Sequence, residues 1–217
     1  MEEDFEKLRR EMVETQLIPR GITDRCVLDA FRKIPRHEFV KRSMWAGAYE
    51  DWPLPIGEAQ TISQPYMVAL MTQCLGLRGG ETVLEVGTGS GYQAAILAEI
   101  AAKVYSIERL APIAQSAEST LARLGYANVT VKVADGTMGW DAHAPYSGIV
   151  VTAGSPQVPA SLIRQLSDGG RLVIPVGNSF SQVLTVIEKK AGSIYTKEVC
   201  GCVFVPLIGQ EGWVVGS

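Results

Sequence analysis

Histidine is almost missing from this chain, with two in 217 residues, and cysteine is sparse, with four. His37 and His143 lie far apart, Cys26 and Cys74 stand alone, and only Cys200 and Cys202 form a close pair. Strand alternation puts both members of that C-x-C on one face, but no zinc-ligand spacing results. Nor do four scattered thiols make a disulfide framework, so reduced, mostly buried cysteines in a cytoplasmic protein are expected. Positive charge is not in excess: 20 Lys+Arg against 23 Asp+Glu leave a net charge of −3. That is no electrostatic footprint for nucleic acid. No apolar run approaches the length that spans a bilayer, and the opening MEEDFEKLRR is charged rather than patterned as a signal peptide. No nucleic-acid or membrane partner is expected. What is plentiful is core-forming material, with 47% hydrophobic residues in a length that suits one domain.

The most informative stretch is TVLEVGTGSGYQAAILAE, Thr82 to Glu99. The aliphatic run Val83-Leu84-Glu85-Val86 reads as a buried parallel strand. Gly87, Gly89 and Gly91 follow at alternate positions, and an apolar helical pattern begins at Tyr92. Strand, glycine turn and helix form the front of a mononucleotide-binding βαβ unit, where a ligand lies directly against main-chain atoms. A dinucleotide fingerprint needs its third glycine where Tyr92 stands. The pattern E-x-G-x-G-x-G, with Thr88 and Ser90 between the glycines, instead resembles the first motif of S-adenosylmethionine-dependent methyltransferases. Some twenty residues on, KVYSI (Lys103 to Ile107) reads as the next strand and Glu108 stands at its carboxyl end. A carboxylate there can accept both ribose hydroxyls of a nucleoside.

Around this unit, Phe5 to Gln16 shows helical spacing closed by Ile18-Pro19-Arg20-Gly21, and Thr23 or Asp24 can cap a second helix facing inward with Val27, Leu28, Phe31 and Ile34. The segment to Gly57, with Trp45, Tyr49 and Trp52, reads as an aromatic loop. Ser63 precedes an apolar helix with Pro65 in its first turn, the pattern of an N-cap, and such a helix start offers free amides to an anion. Further on, Ile113 to Leu124 reads as a helix stopped by Gly125. Val129 to Ala134 reads as a strand ending in Asp135-Gly136, and Ser147 to Thr152 as another strand. Val158 to Leu166 reads as a helix leaving through Gly169-Gly170. Leu172 to Val176 is a fifth strand, and Val183 to Lys189 with Ile194 to Val205 an antiparallel pair. This alternation predicts an α/β fold, a doubly wound, mostly parallel Rossmann-like sheet with an N-terminal helical cap and antiparallel C-terminal strands. The expected division of residues 1–217 is a cap over 1–60, a cofactor-binding core over 61–190, and a C-terminal strand and lid over 191–217. Gly87, Glu108 and Asp135 then share the carboxyl edge of the sheet, where the crevice forms. Asp135 suits an adenine amine, since a carboxylate accepts its hydrogen bonds.

Taken together, QTISQPYMVA, VLEVGTGSGYQAAILA, YSIER, ADGTMGW, APYSGIVVTAG, LIRQLSDGGRLVIPVG and FVPL resemble the protein-L-isoaspartate O-methyltransferase family, from about Pro35 to Leu207. The resemblance implies methyl transfer from S-adenosyl-L-methionine, leaving S-adenosyl-L-homocysteine, to the free α-carboxylate of L-isoaspartyl and, less well, D-aspartyl residues in damaged proteins and peptides. The ester then closes to a succinimide that reopens partly to aspartate. It implies Ser63 as the active-site serine. Thr61, Ile62, Gly87, Thr88, Gly89, Ser90, Gly91, Glu108, Arg109, Asp135 and Gly136 match positions that hold the cofactor. Tyr66 stands where many relatives have histidine, and Ile208 where some place a polar residue. No metal is implied, and a monomer is expected. A methyltransferase for small molecules or nucleic acid would share the glycine loop and Glu108 but not the Gln60 to Ala69 stretch. A non-catalytic nucleotide-binding module would bind the cofactor without turnover.

Overall fold

The computed structural model describes residues 4–214; residues 1–3 and 215–217, the outer ends of the expected cap and lid, lie outside them. Helix α1 (Phe5–Met12) is started by Asp4, whose carboxylate accepts the Lys7 amide at 3.0 Å. It runs on through a π turn at Val13–Leu17, and Gly21, at φ +88°, ends the following 3-10 turn. Asp24 caps α2 (Arg25–Lys33) by accepting from the amides of Cys26 and Val27. The loop expected up to Gly57 is corrected by the structure: β1 (Leu54–Gly57) and β2 (Gln60–Ile62) form a small antiparallel hairpin turned at Glu58 and Ala59. Strands this short, one carrying Pro55, leave no alternation to read.

Seven further strands form one sheet in the order β5-β4-β3-β6-β7-β8-β9. These are β3 (Thr82–Val86), β4 (Lys103–Glu108), β5 (Val129–Val133), β6 (Tyr146–Val151), β7 (Leu166–Gly177), β8 (Gln182–Lys190) and β9 (Ser193–Cys202). The pairs from β5 to β7 are parallel, while β8 and β9 run antiparallel. The chain builds outward from β3 in one direction and from β6 in the other, so the topological switch lies between them and the crevice opens there.

Alternation divides the core. Val83, Val104, Val150 and Val173 face the cap, α3 (Pro65–Leu75) and α4 (Tyr92–Ala98). Leu84, Val86, Ile107 and Ile149 face the other side, where Leu162 of α6 (Ala160–Gln165) and Leu207 close over them. Helix α5 (Ala111–Arg123) links β4 to β5. Three expected boundaries move. Helix α6 is shorter than Val158 to Leu166 because Pro159 takes its N-cap and the backbone turns extended at Leu166. The Gly169-Gly170 pair lies within the long β7 rather than in a turn before it. Strand β9 stops at Cys202, and Val203 to Pro206 leaves the sheet to return over the end of β6, where Gly154 exchanges backbone hydrogen bonds with Val205 and Leu207 at 2.8 Å.

Candidate active site

The turn after β3 is built around its glycines. Gly87 has φ +97°, and a Cβ there would collide with Oγ1 of Thr152, which donates to the carbonyls of Gly87 at 2.7 Å and Val86 at 3.1 Å. Gly89, at φ +53°, turns its amide to Glu108, whose Oε2 accepts at 3.0 Å. The other Glu108 oxygen accepts the Leu110 amide at 3.0 Å, so the carboxylate is fixed while only 7% of the residue is exposed. Beneath the loop Thr88 and Ser106 share a hydrogen bond of 2.6 Å, and Ser106 donates to Glu85. Glu85 points into the sheet interior and not into the crevice. Burial, opposed by the Ser106 hydrogen bond and helped by the nearby Glu108 charge, pushes its carboxyl up to about 8.

Two cavities meet here. The first is lined by Thr61, Ile62, the loop from Gly87 to Ser90, Glu108, Arg109 and Gly136, and is roofed by Val205 to Ile208. The second opens to the outside between Arg20, Pro53 and Tyr66 on one bank and Cys200 to Phe204 on the other. Thr61, Ser63, Thr152 and Val205 line both, so Ser63 stands where the two join. The structure thus gathers Ser63, Thr61, Ile62, Gly87, Thr88, Gly89, Ser90, Glu108, Arg109 and Gly136 around one space.

Two of the candidate residues stand outside that lining. Gly91, at φ +87°, is the N-cap of α4. Asp135 accepts from the Thr137 amide at 2.9 Å, the Thr137 hydroxyl at 2.7 Å and the Gln210 amide at 2.8 Å, which ties down the returning C-terminal segment. Glu211 adds to this strap, accepting from the Ser161 amide and hydroxyl, bonds that hold its carboxyl below the usual range. The helix start after Ser63 also differs from expectation. Gln64, not Ser63, is the N-cap, Pro65 brings no N–H, and Oδ1 of Asp51 accepts the Tyr66 amide at 2.9 Å. That amide is therefore spent inside the protein, and the Ser63 hydroxyl is left to point elsewhere.

Sequence reasoning missed Thr152, Ala153, Tyr92 and Gln93 as wall residues. The first two directly follow β6 on the crevice edge, and that position was itself a usable signal. Neither histidine lines either cavity: His37 stacks on Phe5 in the cap at 4.0 Å, and His143 on Tyr105 at 3.8 Å.

The model of the protein-L-isoaspartate(D-aspartate) O-methyltransferase family matches residues 7–212. The chain belongs to that family. A protein-L-isoaspartate O-methyltransferase of Geobacter metallireducens is 58% identical over 211 residues, which is 97% of this chain and 98% of the relative. A solved protein-L-isoaspartate O-methyltransferase superposes with a TM-score of 0.86 at 32% identity, over 94% of this chain and 67% of its own. A second, from Plasmodium falciparum and in complex with S-adenosyl-L-homocysteine, gives 0.80 at 25% identity, over 92% of this chain and 98% of its own.

Proposed function

We propose that this chain methylates the free α-carboxylate of L-isoaspartyl residues in damaged proteins and peptides, with D-aspartyl residues as poorer substrates, by direct in-line displacement at Ser63. The junction of the two cavities at Ser63 carries this reading. The inner cavity fits the cofactor chemically. Glu108 offers a buried carboxylate to ribose hydroxyls, and the loop leaves its backbone open at Gly89. The Oε1 of Gln93 is a buried acceptor beside the cavity with no protein partner, suited to an ammonium or amine donor. S-Adenosylmethionine supplies the methyl group as a sulfonium substituent. The carboxylate oxygen forms the new C–O bond, the C–S pair stays on sulfur, and no proton moves.

The chain's own task is alignment. A carboxylate is already ionised at neutral pH, so a strong base is not needed. Holding oxygen, carbon and sulfur in line can contribute about 7–11 kcal/mol through effective molarity. The Ser63 hydroxyl donates to one carboxylate oxygen and points the other at the methyl group. Thr61 and Ile62 hold the near side of the cofactor, and Arg109 and Gly136 border it beyond Glu108. Asp135 serves first through the strap, though a carboxylate keeps acceptor sites for an adenine amine. All of these groups lie in one chain, which fits a monomer acting in the cytoplasm.

Ser63→Ala tests the orienting role. The expected loss is roughly ten- to a hundred-fold in turnover, that of a hydrogen bond to a charged group, with cofactor affinity changed much less. Without a histidine at the site, the pH–rate profile has no ascending limb near pH 6–7. A folded, cofactor-competent variant with no turnover at all, or a methyl-seryl enzyme trapped in mass spectra, contradicts the role.

A further inference from the structure

The bank of the outer cavity nearest Ser63 carries a charge that the methyl-transfer chemistry does not use. Among the described residues lining that cavity, Arg20 is the one arginine or lysine, and no aspartate or glutamate accompanies it. Its guanidinium lies over the Tyr66 ring, 3.5 Å from the centroid, and Nη1 pairs with Oδ2 of Asp51. Asp51 uses its other oxygen on the Tyr66 amide, and the Tyr66 hydroxyl reaches the Arg20 carbonyl at 3.5 Å. Ring, carboxylate and guanidinium therefore brace one another against the start of α3. A braced guanidinium loses less freedom on binding than a loose one. Asp51 does not line the cavity, so a peptide lying in it meets the arginine and not the compensating carboxylate. Tyr66 supplies the flat surface for this arrangement.

We propose that Arg20 reads the charge of the residue flanking the isoaspartyl site and favours substrates with an acidic side chain there over neutral or basic ones. This rests on the proposed reaction, with the outer cavity as the peptide's approach to Ser63. The pair formed is partly exposed, so its effect is that of a surface ion pair, roughly two- to fivefold. It acts on KM, because it lies away from the transferring methyl group.

The test uses the full chain and isoaspartyl peptides identical except for Glu, Gln or Lys at each neighbouring position in turn. At one flank or the other, kcat/KM should fall in the order Glu, Gln, Lys, and the spread should shrink in about 0.5 M salt as screening sets in. Arg20→Gln should bring the Glu-to-Gln ratio to one or below, Arg20→Lys should keep part of it, and Asp51→Asn should widen it. Each ratio is taken within one enzyme preparation, so partial misfolding cancels. A wild-type ratio of one at both flanks, a reversed order, or a preference that survives Arg20→Gln overturns the proposal. Failure to methylate any of these peptides would instead strike the assigned reaction.

Discussion

Two buried carboxylates lie one strand apart, and their surroundings give them opposite work. Glu108, on the wall of the inner cavity, has both oxygens held by backbone amides, so it is a fixed acceptor there. Glu108→Gln replaces charge-assisted hydrogen bonds, each worth about 1.5–3 kcal/mol, by weaker neutral ones. Calorimetric affinity for S-adenosylhomocysteine should fall by about tenfold or more; an unchanged affinity would put the ribose elsewhere. Glu85 sits fully buried, with one oxygen partnered by Ser106 and the other by nothing in the protein. Its carboxyl is raised to about 8, chiefly by burial. A raised carboxyl favours the folded state at low pH. The contribution is therefore complete below the unfolded value near 4.5 and is lost as pH climbs through about 8. Within that window the slope approaches about 1.4 kcal/mol per pH unit for one proton. Denaturant unfolding of the unliganded protein from pH 5 to 9 should show this decline, and Glu85→Gln should flatten it. Equal slopes in the two proteins would mean that Glu85 ionises freely where it lies.

At the scale of elements, the turn from β3 into α4 depends on a residue two strands' worth of chain away. Thr152 holds the carbonyls of Val86 and Gly87, and the same hydroxyl fills the space where a Cβ on Gly87 would go. Gly87→Ala therefore combines a positive φ with a collision and should cost about 1–3 kcal/mol. Thr152→Ala clears the collision, so the double variant should be more stable than the summed single effects predict, a coupling visible in chemical unfolding. Strict additivity would remove Thr152 from the account of this turn. The glycine spacing, the strand and the position of Glu108 were legible in the sequence because each is a local pattern of backbone and side-chain types. Thr152 was not, because its contact with Gly87 spans 65 residues and forms only when β6 pairs with β3. The cap of α3 was misread for the same reason. Ser63 has the right chemistry at nearly the right place, but Asp51, brought in by the β1–β2 hairpin, reaches the amide at position 66 instead.

For the whole molecule, the doubly wound, mostly parallel sheet follows from alternating strand and helix patterns, and the crevice follows from the strand order. What the periodicity could not give is the path of the chain beyond Cys202. There the strand pattern continues through Val203 to Val205, yet the backbone leaves β9 and crosses to Gly154, held by Asp135, Thr137 and Ser161. That return roofs the inner cavity with Val205 to Ile208 and leaves the outer one open beside Ser63. In the proposed reaction, methyl donor and peptide are then separate guests of one junction. The most direct test is methyl transfer from labelled S-adenosylmethionine to a pair of peptides that differ only in an isoaspartyl or an ordinary aspartyl linkage. Base-labile label in the isoaspartyl peptide alone, at one methyl per site, is the result predicted. Equal labelling of both peptides, or none in either by a protein that binds S-adenosylhomocysteine, would contradict the account.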